Sequence, residues 1–420
     1  MRSFRSCVAL FLVFAAYALP VRAAPHTSLR AVVIVSRHGV RSPIDPSLVA
    51  PYAAQPWPAW NVPPGDLTPH GYLLMRLFGA YYRAFYASQG LFPSAGCLPA
   101  DAIYLYADVD QRTKETARAL VQGLAPNCGV AVHWAPGRRD PFFYPLPEKK
   151  RADAVTALDA LRGSIGDSPS AIISAYALPL ALLEHVLGCA HGECKQIRDV
   201  PVTVRLGDFG GLPYVSGGVS IATSAVDELE LEYANGFPNA QTGWGRLDER
   251  TLENLLPLLH LGFILDRGEP YAARSEGSNI LFHVLATIDQ ASTGEPNAQT
   301  RAPRAARFVA FVGHDTTIFD IATILRLHWF LPGYQRDDLP PGGALVFEVR
   351  APHGGGEPFV DTYFMTQTLD QMRFARPLTL ASPPERVPVY VPGCPSFDCP
   401  MRVFEHVVRE SIDRDFVFSW

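Results

Sequence analysis

The sequence predicts an α/β fold: a mixed, mostly parallel sheet flanked by helices, with an inserted α-helical domain. Two observations predict it. Three short apolar, β-branched runs each pass through a polar turn into a helical stretch, and a long segment between the second and third reads as helices with little strand signal. Runs that are apolar at almost every position suit strands buried on both faces, as in parallel sheets covered by helices. Ligands bind such sheets at the carboxyl ends of the strands.

Taken in order, Arg2 and Arg5 precede an apolar run from Cys7 to Leu19, and Val21-Arg22-Ala23 supplies small residues for cleavage. Residues 1–23 therefore read as an export signal, too short and too soon ended by Pro20 for a membrane anchor. The first part of the α/β core is expected over 24–148. It holds a strand from Ala31 to Val35, a helix opened by Thr68-Pro69 and a strand from Ala102 to Tyr106 leading to a helix through about Leu124. Residues 149–266 form the expected insertion, with one strand signal from Val200 to Val204. The second part of the core, 267–420, holds a strand from Phe308 to Val312 and a helix from Ile318 to Leu327. Further strands are expected at Ala344–Val349 and Phe359–Phe364, with a short helix from Met401. Roughly 400 residues after the leader exceed what one core usually covers, which fits two lobes.

Composition narrows the function. Removing the leader leaves 33 basic and 41 acidic side chains, a formal charge of −8. That balance argues against nucleic acid or an anionic membrane as partner, so an anionic substrate must be drawn in by a local cluster of cations. Cys97, Cys128, Cys189, Cys194, Cys394 and Cys399 remain after the leader, and an even number in an exported chain reads as disulfides. The close spacings suggest Cys189 with Cys194 and Cys394 with Cys399, leaving Cys97 with Cys128. There is no Asn-x-Ser/Thr sequon, which favours a bacterial periplasm. The expected product is a periplasmic or secreted monomer, free of the membrane once the signal is cut.

Each of the three turns carries chemistry. Arg37-His38-Gly39-Val40-Arg41 sets two guanidinium groups around one imidazole, with Gly39 read as allowing close approach of a ligand. Arg112 starts a helix whose N-terminus also favours an anion; Asp108 and Asp110 either orient it or cap that helix. His314-Asp315 adds a second imidazole and a carboxylic acid. Phosphoryl transfer needs a nucleophile, fixed positive charge and an acid for the departing oxygen. His38 is therefore expected as nucleophile, Arg37, Arg41, Arg112 and His314 as phosphate ligands, and Asp315 as general acid. An acid with an ordinary carboxylate pKa works only at low pH, so an acidic optimum is expected. With no HExxH or CxxC spacing, neither a metal nor another cofactor is expected.

Arg37-His38-Gly39-x-Arg41-x-Pro43 resembles the RHGxRxP signature of histidine acid phosphatases, and His314-Asp315 resembles the distal HD pair of that family. Similar segments run from Gly65 to Gly71, Ala107 to Thr113, Gly243 to Arg246 and Pro340 to Glu348. The resemblance extends over nearly all of the chain to the bacterial periplasmic phytases, glucose-1-phosphatases and acid phosphatases. It implies a covalent phosphohistidine, no metal and a small phosphorylated substrate. Asp45 follows the signature where phytases of this group commonly carry a Lys, which counts against a strong preference for phytate. Arg274 either contacts a remote phosphate or pairs at the surface with Glu276 or Glu269. Glu228 either lines the cleft or faces solvent, and Thr316, next to the HD pair, is a further cleft candidate. The main expectation is a phytase-like or broad-specificity acid phosphatase. A glucose-1-phosphatase-like sugar phosphatase is the alternative, and from other classes a phosphotransferase or mutase and a non-catalytic binder of phosphorylated ligands, which the export signal and the intact His38 and Asp315 disfavour.

Overall fold

The computed structural model describes residues 27–144, 152–166, 168–189, 193–207 and 211–418. The expected leader, residues 1–23, and the expected boundary at residue 149 lie outside them. The strands are β1 Thr27–Arg37, β2 Ile103–Ala107, β3 Val132–His133, β4 Thr203–Gly207, β5 Gly211–Ser216, β6 Phe308–Gly313, β7 Ala344–Pro352, β8 Phe359–Thr366, β9 Glu385–Pro388 and β10 Asp398–Pro400. The helices are α1 Pro69–Ser88, α2 Gln111–Leu124, α3 Ala154–Ile165, α4 Ser170–Ala175, α5 Ala177–Val186, α6 Gly218–Ala234, α7 Glu249–Arg267, α8 Pro270–Thr293, α9 Asp315–Leu325, α10 Leu369–Arg373 and α11 Met401–Ser411.

The main sheet runs β10-β8-β7-β1-β6-β2-β3, with β9 also on β8. Pairing is parallel on one side of β1 (β1 with β6, β6 with β2, β2 with β3). It is antiparallel on the other, where β7 and β8 form a hairpin. Alternation along β1 explains its unbroken apolar sequence. Val33 and Val35 pack with Phe311 and Phe347 on one face, and Val32 and Ile34 pack with Phe78 and Leu120 of α1 and α2 on the other. Burying a side chain of this size stabilises by roughly 1.5–3 kcal/mol, so β1 is a rigid base for whatever follows Arg37.

Between β3 and β6 stand α3 to α8 and a separate antiparallel pair, β4 with β5. The single strand expected at 200–204 is thus a hairpin shifted three residues along. Gly211 and Pro213 depress the strand signal of its second arm. A small apolar cluster of Leu161, Val215, Val219, Leu261 and Leu265 holds the hairpin to α3, α6 and α7. The three expected cystine pairs are present: Cys97–Cys128, Cys189–Cys194 and Cys394–Cys399.

Candidate active site

Three adjacent parallel strands deliver the three polar turns to one edge of the sheet. Arg37 ends β1 opposite Gly313 of β6, and Ala107 ends β2 opposite Val312. The turn after β1 is pinned on all sides. The His38 amide donates to Gly313 O at 3.0 Å, its carbonyl accepts from Gly342 N at 2.9 Å, and Thr68 N donates to Val40 O at 3.0 Å. Thr68 also caps α1, accepting from Gly71 N at 2.8 Å. This packing by itself requires a glycine at 39: a Cβ there would stand 2.7 Å from Met75 Cγ and 3.2 Å from the Gly71 carbonyl.

His38 is 2 % exposed. Its Nδ1 lies 2.8 Å from its neighbour's carbonyl, Gly39 O, which accepts the Nδ1 proton and leaves Nε2 as the unprotonated ring nitrogen. Burial, and then the charges of Arg37, Arg112 and Arg41, hold its pKa well below the ordinary imidazole value. The ring thus stays neutral, and nucleophilic, in acid. Its centroid is 5.6 Å from that of His314.

Around it stand the cations. Arg37 Nη2 lies 3.1 Å from Asp315 Oδ2, Nη1 lies 3.8 Å from Glu230, and Nη1 donates to the Leu339 carbonyl. Asp227 bridges Arg37 at 3.4 Å and Arg41 at 3.0 Å. Arg112 Nη2 reaches Asp110 at 2.5 Å and His314 Nδ1 at 3.4 Å. The Nε of Arg37, Arg41 and Arg112 is buried in each case with no hydrogen-bond partner among the described residues. Three such donors converging on a neutral imidazole fit an oxyanion. His314 caps α9, and its Nε2 donates to the fully buried Asp108 at 2.7 Å. Asp110 therefore pairs with Arg112, while Asp108 holds His314 instead. Asp108, Asp110 and His314 also bring three ligand-type atoms within 4.8 Å of one another; Arg112 supplies the positive charge beside them.

Asp315 opens α9. Burial raises its pKa, but Arg37, Arg41 and His314 outweigh that, and the net shift is downward. Its Oδ1 accepts from Thr316 N at 2.7 Å.

The remaining cleft candidates separate. Thr316 lines a cavity beside Asp315. Asp45 is exposed and accepts from Ser47 N at 3.1 Å, within its own turn. Arg274 pairs with neither Glu269 nor Glu276 among the described residues; its Nε donates to Ser411 O at the end of α11, 3.0 Å away. Glu228 is not on a solvated helix face. It is 2 % exposed, and burial beside Glu232 and Asp227 pushes its pKa up to about 8. The α6 residues that meet the arginines are Asp227, which bridges Arg37 and Arg41, and Glu230, which faces Arg37. The run Asp227-Glu228-Leu229-Glu230-Leu231-Glu232 marks that stretch, but acids at four of six positions do not tell which of them face the site.

The profile of the histidine phosphatase superfamily (branch 2) matches residues 28–160. The chain is 31 % identical to phytase AppA of Escherichia coli over 407 residues, 92 % of this chain and 93 % of that one. It is 29 % identical to the glucose-1-phosphatase of Salmonella typhimurium, covering 91 % and 92 %. The structure of Hafnia alvei phytase in complex with tartrate superposes with a TM-score of 0.86 at 32 % identity, covering 94 % of this chain and all of that one. The signature turn, the HD pair and this likeness over the whole length agree, and the chain belongs to branch 2 of the histidine phosphatase superfamily as a histidine acid phosphatase, a phosphoric monoester hydrolase.

Proposed function

We propose that the protein hydrolyses phosphate monoesters in the periplasm through a phosphohistidine on His38. Nε2 of neutral His38 attacks phosphorus, and the bond to the ester oxygen breaks as Asp315 delivers its proton to that oxygen. Water then attacks the phosphohistidine, the Asp315 carboxylate takes its proton, and orthophosphate and free His38 are restored. Arg37, Arg41, Arg112 and His314 hold the phosphoryl oxygens through both steps; Asp227, bridging Arg37 and Arg41, keeps the two guanidiniums in place. The observation that carries the reading is the His38 environment: a buried, neutral ring with a free Nε2, enclosed by three guanidinium groups with unpartnered Nε–H donors.

The same geometry gives the pH dependence. With its pKa below the ordinary value, Asp315 holds the required proton only in acid. His38 resists protonation over that range, so kcat/KM is greatest at low pH and falls as pH rises. Three cystines support an oxidising compartment, and the chain is read as acting as a monomer on a small phosphorylated substrate, within the range from phytase-like to sugar phosphatases.

The test is release of orthophosphate by purified protein, with EDTA present, from an aryl phosphate, glucose 1-phosphate and phytate across pH, beside His38→Ala. Chelator-resistant, acid-optimal turnover that disappears in the variant is expected. Turnover that survives loss of His38 would overturn the nucleophile, and no turnover of any ester would favour a phospho-ligand binder.

A further inference from the structure

Arg37 carries more acids around it than one guanidinium can match. On its Nη2 side stand Asp315 at 3.1 Å and Asp227 at 3.4 Å, both partly exposed. On its Nη1 side, Glu230 Oε2 lies 3.8 Å away, beside the Leu339 carbonyl that accepts from Nη1. Glu230 is buried, and this Oε2 makes no hydrogen bond among the described residues. Asp338, the residue before Leu339, is buried too; its Oδ2 accepts from Gln335 N at 2.6 Å, and its charge acts on both Arg37 and Glu230. The chemistry assigned to the pocket uses neither Glu230 nor Asp338.

The charges around Arg37 then order themselves. Burial works against its charge, but Asp315, Glu230 and Asp227 outweigh burial and keep it a cation. A single cation cannot hold four ionised acids, and less so once a phosphate dianion joins them. The two most buried acids give way: chiefly through burial, Glu230 is pushed up to about 8 and Asp338 to about 7. In acid both are uncharged, and the charge of Arg37 is shared only with Asp227 and Asp315. Above neutrality both ionise beside it. Among the described residues, the other groups packed on α6 turn elsewhere. The Tyr334 hydroxyl donates to Gln367 O at 2.6 Å, Glu249 of α7 and Arg373 of α10 act on Tyr233, and Glu184 of α5 pairs with Arg198. On α6 itself, Glu228 meets Glu232 and Arg41.

We propose that Glu230 is a positioning residue for Arg37: uncharged, it supports the guanidinium from its buried side and leaves the positive charge to the phosphate, and ionised, it competes with the phosphate for that charge. The proposal rests on Arg37 holding phosphate, as in the phosphomonoesterase reading above. Binding of an oxyanion and loss of the Glu230 proton are therefore opposed, and by linkage each weakens the other by the same factor.

Sulfate is the probe, because its charge is the same from pH 5 to pH 9. Its dissociation constant is measured by calorimetry across that range for wild type, Glu230→Gln and Glu232→Gln. The last removes a buried acid of the same helix whose carboxylate bonds Gly243 N instead. At pH 5 wild type and Glu230→Gln should bind equally, and at pH 9 the variant should bind about tenfold more tightly. Glu232→Gln should follow wild type. KM for an aryl phosphate should show the same gap opening with pH, with kcat unchanged. Asp338→Asn, which keeps an acceptor for Gln335 N, should open a gap in the same direction, so the answer does not depend on one variant folding. A purely structural role would give an equal difference at every pH. That result, no gap at pH 9, or the same gap in Glu232→Gln would overturn the proposal, while His38-dependent turnover left the phosphatase reading intact. No turnover of any ester, with the sulfate gap present, would remove the phosphatase reading and leave the action of Glu230 on Arg37 standing.

Discussion

Replacing Glu232 with Gln should stabilise the protein at neutral pH and leave it unchanged in acid. Glu232 is fully buried on α6. Its Oε2 accepts from Gly243 N at 2.9 Å, while Oε1 has no hydrogen-bond partner among the described residues. Burial pushes its pKa from 4.5 up to about 8, only partly opposed by the Gly243 bond. The folded pKa therefore exceeds the unfolded one. Below pH 4.5 both states hold the proton and folding gains its full stability. As pH rises towards 8 the unfolded chain releases the proton and the folded chain does not, at about 1.4 kcal/mol per unit. The penalty reaches about 3 kcal/mol at pH 7. Gln keeps the acceptor for Gly243 and has no proton to hold. Urea unfolding of wild type and Glu232→Gln at pH 4 and pH 7 should show coincident midpoints at pH 4 and a gain for the variant at pH 7. An equal effect at both pH values, or a loss that grows with pH, would refute the reasoning. Glu228 and Glu230, each pushed up to about 8 chiefly by burial, should act in the same direction, giving a protein most stable in acid, where its chemistry also works best.

Asp315→Asn should lower kcat for glucose 1-phosphate by roughly 10²–10⁴ but cost far less with p-nitrophenyl phosphate, whose leaving group needs no proton; equal losses would deny the acid role. Asp108→Asn keeps an acceptor for His314 Nε2 but removes the charge. It should reduce kcat/KM about tenfold, with weaker orthophosphate inhibition, while an unchanged Ki would show that Asp108 does not act through the phosphate pocket. Serines at Cys97 and Cys128, which close a loop with a sequence separation of 31, should cost about 3–4 kcal/mol in urea unfolding. Serines at Cys189 and Cys194, separated by 5, should cost only about 2 kcal/mol.

The parts of the molecule that were legible are those where one constraint dominates. β1 and β6 are buried on both faces, so their apolar runs have no gaps, and the polar residues after them mark where each strand ends. Thr68-Pro69 opens α1 as its residue types predict. On α6 the signal fails, because that helix is buried nearly all round and so shows no polar face. Acids at 227, 228, 230 and 232 then look like a solvated surface, although Asp227 bridges two arginines and the three glutamates are buried. Gly39 was read as making room for a ligand, and the packing of α1 by itself already requires a glycine there. Arg274 fits a distant phosphate by sequence context, but the end of α11, more than a hundred residues away in the chain, provides a carbonyl for it. Contacts at such separations leave no local pattern.

The central claim, that phosphate passes through His38, is tested most directly by trapping. The protein is mixed with labelled substrate, quenched in alkaline detergent within the turnover time, and digested for mass spectrometry. The account predicts an acid-labile, alkali-stable phosphoryl group on the peptide containing His38, present in wild type, accumulating in no His38→Ala sample and discharged by water. Label on any other residue, or steady turnover with no trapped phosphohistidine and with activity retained in His38→Ala, would contradict it.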